Sequence, residues 1–237
     1  MLAQYNVTAA IIPARGGSKR IPNKNMKVFN GKPMIQWTIE AALLAQSIDY
    51  VVVSSDNQEI LDLASSFEGV IAVKRPMELA NDTASINDAV SHAIDVVESQ
   101  GVEIQNVMLL QPPCPLKISE DIDGAVKLFR ETGSNGSVVS VTEVEQPSDY
   151  VMLLDETLSM DDFVTHLLQL GNRPVEMRKE CRLNGVIYIT NVNDFKKSNM
   201  FFIKPCRAFI MPRERSVDID IKTDFIIAEA LAKIQDK

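Results

Sequence analysis

The sequence predicts an α/β protein with a mostly parallel β-sheet. Through the first half of the 237-residue chain, short segments rich in β-branched and aliphatic residues alternate with longer segments of helical period. Strands that alternate with helices of about 10–15 residues are typical of βαβ units, in which successive strands run parallel. The composition, 46% hydrophobic and 24% charged, is that of a globular protein with a buried core.

Seven segments read as strands, five of them before residue 145 and two after residue 183. They are TAAIIPA, YVVVSSD, VIAVKRP, NVMLLQPPCP, GSVVSVTEV, NGVIYITN and CRAFIMP. The β-branched run in YVVVSSD is typical of a buried strand, and the prolines of NVMLLQPPCP end that strand.

Four helical segments separate the early strands, and a fifth ends the chain. KPMIQWTIEAALLAQ has Pro33 near its start, where the missing N–H costs little. SINDAVSHAIDVVES places its apolar residues on one face at helical spacing. Those residues are Ile86, Ala89, Val90, Ala93, Ile94 and Val97. QEILDLASSF and SEDIDGAVKLFRET are the other two, and SVDIDIKTDFIIAEALAKI is expected to be a strand end leading into the final helix.

The alternation weakens between about residues 145 and 182. The segments EQPSDYVMLLDETLSMDDF and LGNRPVEMRKECR lie here and keep neither period for long. A stretch of this length without regular structure is uncommon in a compact domain unless it has a function. We interpret it as an excursion from the sheet that serves as a lid, a hairpin arm or an oligomerisation element.

Charge, hydropathy and cysteine usage exclude several classes of protein. A net charge of −8 argues against general nucleic-acid binding. No apolar run approaches 18 residues, so no membrane span is expected, and the N-terminus lacks the pattern of a signal peptide. The three cysteines are odd in number and far apart, which predicts a reduced, cytoplasmic protein.

A basic, glycine-containing loop follows the first strand in IIPARGGSKRIPNKN. The first 39 residues contain six basic residues and no acidic one. Gly16 and Gly17 let the backbone approach an anion, and Arg15, Lys19 and Lys24 could neutralise a polyphosphate. The loop is neither a P-loop nor a G-x-G-x-x-G motif. A solvated basic edge is the alternative interpretation.

A pair of carboxylates occurs in SVDID. In an extended chain Asp218 and Asp220 point to the same face, about 7 Å apart. Such a pair suits Mg²⁺, which commonly takes one or two carboxylates together with substrate phosphates. An exposed acidic edge strand is the alternative. Cys114, in PPCPL, is expected to be a buried structural thiol.

Six motifs together resemble the CMP-sialic acid synthetase, or acylneuraminate cytidylyltransferase, family. In chain order they are ARGGSKRIPNKN, RPMELANDTAS, LQPPCPL, RLNGVIYI, FFIKP and SVDID. The resemblance covers nearly the whole chain, and several motifs in one order are far more specific than any single motif.

The resemblance implies a single cytidylyltransferase domain over residues 1–237, with a Rossmann-like three-layer fold. It also implies a domain-swapped homodimer with shared active sites, in which residues 145–182 form a dimerisation and sugar-side excursion. The reaction would convert CTP and a nonulosonic acid to a CMP-sugar and pyrophosphate, with N-acetylneuraminate as acceptor and Mg²⁺ as cofactor. Legionaminic and pseudaminic acid are alternative acceptors, and a non-enzymatic dimeric nucleotide sensor is the alternative class.

The resemblance assigns roles to residues by position. The nucleotide-binding residues would be Arg15, Ser18, Lys19, Lys24, Asn25, Arg75 and Ser85. The sugar-binding residues would be Gln111, Arg182, Asn184, Tyr188, Phe201 and Phe202. Asp218 and Asp220 would hold the metal, and Arg15, Lys24, Asp218 and Asp220 would carry the catalysis.

The chain departs from the family pattern in two places. Pro113 and Cys114 stand where the family often has Thr-Ser, and Lys117 stands where it often has arginine. Loss of the hydroxyls and of a bidentate donor could alter the sugar pocket. A family arginine before residue 182 corresponds to either Arg173 or Arg178.

Overall fold

A computed structural model describes residues 6–18, 20–81, 83–170 and 179–235, and shows a three-layer α/β fold. The strands are β1 Thr8–Pro13, β2 Val28–Phe29, β3 Lys32–Pro33, β4 Tyr50–Ser55, β5 Val70–Lys74, β6 Asn106–Leu110, β7 Ser137–Glu143, β8 Cys181–Asn191 and β9 Cys206–Ile210. The helices are α1 Met34–Leu44, α2 Gln58–Ser65, α3 Ile86–Ser99, α4 Ser119–Glu131, α5 Asp161–Leu170, α6 Val192–Ser198 and α7 Lys222–Gln235.

The main sheet has seven strands in the order β5-β4-β1-β6-β8-β7-β9. Strand β8 is antiparallel to both β6 and β7, whereas the other neighbouring strands pair in parallel. The predicted mostly parallel sheet is therefore confirmed. Strands β2 and β3 form a separate hairpin, whose turn residues Asn30 and Gly31 both have positive φ.

Helices cover both faces of the sheet because successive strand residues point to opposite sides. In β1, Ala10 and Ile12 pack with α1, α2 and α4, whereas Ala9 and Ile11 pack with α3 and α6. Such a strand, buried on both faces, reads as a continuous apolar run. This arrangement confirms the three-layer, Rossmann-like prediction.

The seven predicted strand segments all form strands of the main sheet, and the five predicted helical segments form α1, α2, α3, α4 and α7. The prediction was wrong for SVDID, which is extended but outside the sheet. Within the excursion, α5 and a short turn at Ser148–Tyr150 are ordered, and β8 already begins at Cys181. Ile86 is more exposed than its helical face predicted.

The carboxyl ends of β1, β4, β5 and β6 lie along one edge of the sheet. The chain proceeds from β1 outward to β4 and β5, and then returns to β6 on the other side of β1. Ligands of open α/β sheets bind where the strand order reverses in this way. None of the helices described is long and apolar enough to cross a membrane.

Candidate active site

A cleft of about 580 Å³ opens at this switch point. Its walls come from the loops after β1, β5 and β6, from the start of α3, and from the segment before α7. Among the sequence-predicted site residues it brings together Arg15, Ser18, Lys24, Asn25, Arg75, Ser85, Gln111 and Asp220. Residues distant in sequence thus share one polar cavity of a size suited to a small ligand.

The basic loop is held at its start by contacts to the end of β4. The N–H of Gly16 donates to Asp56 Oδ1 at 3.0 Å, and a Cβ at Gly16 would lie only 2.9 Å from Asn57 atoms. The buried Asn25 amide donates to the Arg15 carbonyl at 2.9 Å, which braces the loop from its far end. The glycine is therefore required for close packing, and the loop presents Ser18 to the cleft.

Arg75 is a buried cation on the cleft wall. The residue is only 6% exposed, and among the described residues its Nε and Nη2 atoms have no hydrogen-bond partner. Asp56 Oδ1 lies 3.6 Å from Nη2, an ion pair without a hydrogen bond. Burial lowers the pKa of the Arg75 guanidinium; Asp56 opposes this shift and the nearby Arg15 adds to it. Arg75 thus places a buried, incompletely hydrogen-bonded guanidinium at the wall of the cleft.

The Asp218–Asp220 segment is fixed by the residue between the two carboxylates. Ile219 is fully buried in a cluster with Phe29, and its N–H donates to the Pro113 carbonyl at 2.9 Å. The aspartates on either side therefore point away from the core. Exposed Asp218, buried Ile219 and exposed Asp220 alternate as the i, i+2 spacing predicts, although the segment is not a strand of the sheet.

Cations from the basic loop meet Asp220 at the cleft. Lys24 Nζ donates to the Ile219 carbonyl at 2.8 Å and to Asp220 Oδ1 at 3.1 Å, and Arg20 Nη1 donates to Asp220 Oδ2 at 3.1 Å. Asp224 accepts from the N–H groups of Asp220 and Ile221, each at 2.9 Å, at the start of α7. The two most highly charged segments of the chain are thereby joined.

The two carboxylates fit a Mg²⁺ site that substrate phosphates would complete. Burial raises the pKa of Asp218, and the neighbouring Asp220 charge raises it further. A divalent cation would relieve this repulsion. In the described part of the chain, no cluster of three or more His, Cys, Asp or Glu side chains could hold a metal by itself. One or two carboxylates with phosphate oxygens are the donor set that Mg²⁺ uses.

The predicted sugar-side residues lie mainly outside this cleft. Arg182 donates to Glu145 at 2.9 and 3.2 Å, and these hydrogen bonds lower the pKa of Glu145 to about 2. Tyr188 is half-buried between Phe201 and the exposed Phe202, with ring centroids about 6 Å apart. Gln111 is the member of this set that borders the cleft.

Asn184 lies beneath the site. It is 3% exposed; its Oδ1 accepts from Ser140 Oγ at 2.6 Å, and its Nδ2 donates to Ser216 Oγ at 3.0 Å. Both ends of its amide are therefore used inside the protein, and the assignment of Asn184 to the sugar site stays a prediction. Asn184 joins β7 and β8 to the segment that precedes Asp218.

The two departures from the family pattern are buried. Cys114 is 1% exposed, and burial together with the nearby Asp218 raises the pKa of its thiol to about 12. Lys117 is 3% exposed, and burial lowers the pKa of its amine to about 8 against the attraction of Cys114 and Asp121. Neither side chain lines the cleft. Their expected effect on the pocket can therefore only be indirect.

The structure adds residues that sequence reasoning missed and leaves others outside its description. Asp56 ends YVVVSSD, so its place after a strand next to β1 was a usable signal. Asn81, whose carbonyl accepts from Arg15 Nη1 at 3.3 Å, carried no comparable signal. Lys19, Arg173 and Arg178 lie outside the described residues.

Comparisons with known proteins all point to one family. The model of the family described as "Cytidylyltransferase" matches residues 9–220. An N-acylneuraminate cytidylyltransferase of Escherichia coli O18:K1:H7 is 35% identical over 92% of this chain, which spans about half the length of that relative. A CMP-N,N'-diacetyllegionaminic acid synthase of Legionella pneumophila is 31% identical over 95% of this chain and 96% of its own length.

Further relatives extend both comparisons. A pseudaminic acid cytidylyltransferase of Campylobacter jejuni is 31% identical over 94% of this chain and 95% of its own length. Among solved structures, CMP:2-keto-3-deoxy-manno-octonic acid synthetase complexed with CTP matches with a TM-score of 0.68 over 97% of this chain and 99% of its own. At 18% identity that match shows the fold alone. Family match, identity and fold agree, and the chain belongs to the cytidylyltransferase family of nucleotidyltransferase enzymes.

Proposed function

We propose that the chain transfers the cytidylyl group of CTP to a nonulosonic acid, forming a CMP-sugar and pyrophosphate. N-acetylneuraminate is the acceptor we put first, and legionaminic and pseudaminic acid are the alternatives. Relatives named for N-acylneuraminate, N,N'-diacetyllegionaminic acid and pseudaminic acid are 31–35% identical to this chain. The observation that carries the proposal is the meeting of the basic loop with Asp220, one member of the Asp218–Asp220 pair, in one cleft.

The reaction needs positioning and charge neutralisation more than proton chemistry. The anomeric hydroxyl of the acid attacks the α-phosphorus and loses its proton to solvent, a new P–O bond forms, and pyrophosphate leaves with the electrons of the P–O bond that breaks. Arg15 and Lys24 border the cleft where they can neutralise phosphate charge. The unpaired donors of Arg75 provide charged hydrogen bonds to the nucleotide.

Asp218 and Asp220 would hold Mg²⁺. When bound, the ion would neutralise the phosphates and align them for displacement. Lys24 and Arg20 already pair with Asp220, which lines the cleft. The phosphates of a bound nucleotide would compete with Asp220 for Lys24 and Arg20. Nucleotide binding would therefore free the Asp220 carboxylate from these ion pairs.

The excursion is proposed to be a dimerisation element that closes the partner's sugar site. Helix α5 has no buried residue, and large apolar side chains before it are exposed, with Leu153 completely so. Exposed apolar surface of this kind favours association. The excursion also leads into β8, which carries Arg182 and Tyr188. Light scattering should find a dimer at assay concentrations, and a fully active monomer would contradict shared sites.

A cytoplasmic location is part of the proposal. The three cysteines are free, and two of them, Cys181 and Cys206, are exposed. Exposed unpaired thiols are typical of proteins in a reducing compartment.

The direct test is pyrophosphate release from CTP and Mg²⁺ with a panel of nonulosonic acids. Release should require the acid and should favour CTP over ATP and GTP. Asp220→Asn should remove most Mg²⁺-dependent turnover because it deletes a ligand charge while preserving shape. Asp95→Asn is the matched control, since Asp95 is exposed and pairs with Lys196 away from the cleft. Equal release from ATP and CTP, or full activity of Asp220→Asn, would refute the assignment.

A further inference from the structure

Lys117 is buried beneath the loop that connects β6 to α4. Its Nζ donates to the Thr38 hydroxyl at 2.7 Å, to the Cys114 carbonyl at 2.7 Å and to the Gln111 carbonyl at 3.0 Å. A lysine ammonium has three N–H donors, so all of its hydrogen-bonding capacity is used inside the protein. Lys117 therefore cannot serve as a ligand for sugar or phosphate without breaking these bonds.

The loop needs an external donor because it contains few of its own. Prolines occupy positions 112, 113 and 115, and proline has no backbone N–H. Within the loop, the Cys114 N–H donates to the Gln111 carbonyl at a long 3.4 Å. Lys117 supplies two further bonds to the same short stretch and connects it to Thr38 on α1, which is fully buried.

The other side of the loop is part of the active site. Gln111, Pro112 and Pro113 line the cleft. The Pro113 carbonyl accepts from the N–H of Ile219, which lies between the two proposed metal ligands. A displacement of the loop would therefore remove a bond that holds Asp218 and Asp220 in place.

We infer that Lys117 is a positioning residue that holds the Gln111–Pro113 wall and, through the Pro113–Ile219 hydrogen bond, the carboxylate pair. Its kinetic consequence rests on the proposed function, but its structural consequence does not. Lys117, which stands where the family often has arginine, then differs from the family at an internal support of the loop and not in the lining of the sugar pocket.

The test combines hydrogen exchange with kinetics on Lys117→Met. Methionine keeps the length of the side chain and removes its three donors. Exchange at the Ile219 amide should become at least about tenfold faster, since two loop carbonyls and the Thr38 hydroxyl lose a charged partner. Exchange in β4 and β5 should not change. Because this measurement needs no substrate, it remains decisive if the proposed reaction is wrong.

In the assay, Lys117→Met should raise the Mg²⁺ concentration for half-maximal rate roughly tenfold, and high Mg²⁺ should restore much of the rate. A merely destabilised protein would not show this recovery. Lys196→Met is the matched control, because Lys196 is a hydrogen-bonded lysine too, paired with Glu98 and Asp95, but it lies outside the cleft. Its exchange at Ile219 and its Mg²⁺ dependence should equal those of the wild type.

Unchanged Ile219 exchange in folded Lys117→Met would overturn the inference, as would faster exchange with unchanged Mg²⁺ dependence in an active enzyme. If Lys117→Met does not fold, Thr38→Val replaces it, since valine has a similar shape and removes one anchor of the lysine. Exchange at Ile219 should then rise several-fold, and no rise would refute the role of Lys117.

Discussion

Arg75→Met tests whether the cleft binds the nucleotide through its buried cation. The substitution removes a guanidinium whose Nε and Nη2 have no hydrogen-bond partner in the described part of the chain, and leaves a shorter, unbranched apolar side chain. Because the side chain is only 6% exposed, the removed charge is one that water screens poorly. The effect should therefore appear mainly in the CTP complex, where the two donors would acquire an acceptor.

The expected magnitude follows from the number of charged hydrogen bonds. One such bond contributes about 1.5–3 kcal/mol, so its loss weakens CTP binding by roughly 10- to 150-fold. At a CTP concentration of about 100 times the wild-type Kd, ligand stabilisation is about 2.7 kcal/mol. A 100-fold weaker variant would retain only about 0.4 kcal/mol at the same concentration.

Thermal unfolding with and without CTP measures this difference. For a protein of this size 1 kcal/mol shifts Tm by about 2–4 °C, so CTP should raise the wild-type Tm by roughly 5–11 °C and the variant Tm by about 1–2 °C. Without CTP the two Tm values should be close. Loss of the ion pair to Asp56 destabilises the variant, whereas removal of the desolvated guanidinium stabilises it.

Arg207→Met is the matched control, because Arg207 is exposed on β9 and does not line the cleft. It should show the full wild-type response to CTP. An undiminished CTP response in Arg75→Met would refute the reasoning. A large loss of Tm without CTP would show instead that Arg75 is a structural partner of Asp56.

Two further predictions concern thiol reactivity and acid stability. Iodoacetamide at pH 8 should label Cys181 and Cys206 in the native protein but not Cys114, whose thiol is buried with a pKa raised to about 12. Peptide mass spectrometry measures the labelling of each cysteine. Labelling of Cys114 in the native protein would disprove its burial. The Arg182 hydrogen bonds lower the pKa of Glu145 from 4.5 to about 2, so the pair stabilises the fold above pH 4.5 and this contribution is lost as pH falls toward 2. Because both side chains are exposed, Glu145→Gln should lower the unfolding free energy by less than about 1 kcal/mol at pH 7. The difference in denaturant midpoint between the wild type and Glu145→Gln should become smaller between pH 4.5 and 3. A difference that stays the same would contradict this prediction.

Local sequence patterns were sufficient to predict most of the strands of the sheet and the helices that cover it. The reason is that the repeat of apolar residues records burial, on both faces for β1 and on one face for α3. The same patterns could not supply the direction of β8. NGVIYITN packs equally well parallel or antiparallel, and the direction depends on the route by which the excursion returns to the sheet.

The candidate site was predictable where chemistry was concentrated in a short motif. The basic loop and the Asp218–Asp220 pair were both evident, and the structure joins them through Lys24. The position of SVDID outside the sheet was not predictable, because the Ile219 N–H donates to the carbonyl of Pro113, which comes from another part of the chain.

The sequence by itself determined the order of strands and helices, the charge of the nucleotide loop and the spacing of the two carboxylates. These properties depend on neighbours along the chain. Only the tertiary structure decided three features of the described residues: the buried guanidinium of Arg75 has unpaired donors, Asn184 makes internal hydrogen bonds, and Lys117 is buried and holds the loop after β6. Burial and hydrogen-bond partners depend on segments far apart in sequence, so the same lysine would read as a surface residue until the fold places Thr38 and the Gln111–Cys114 loop around it.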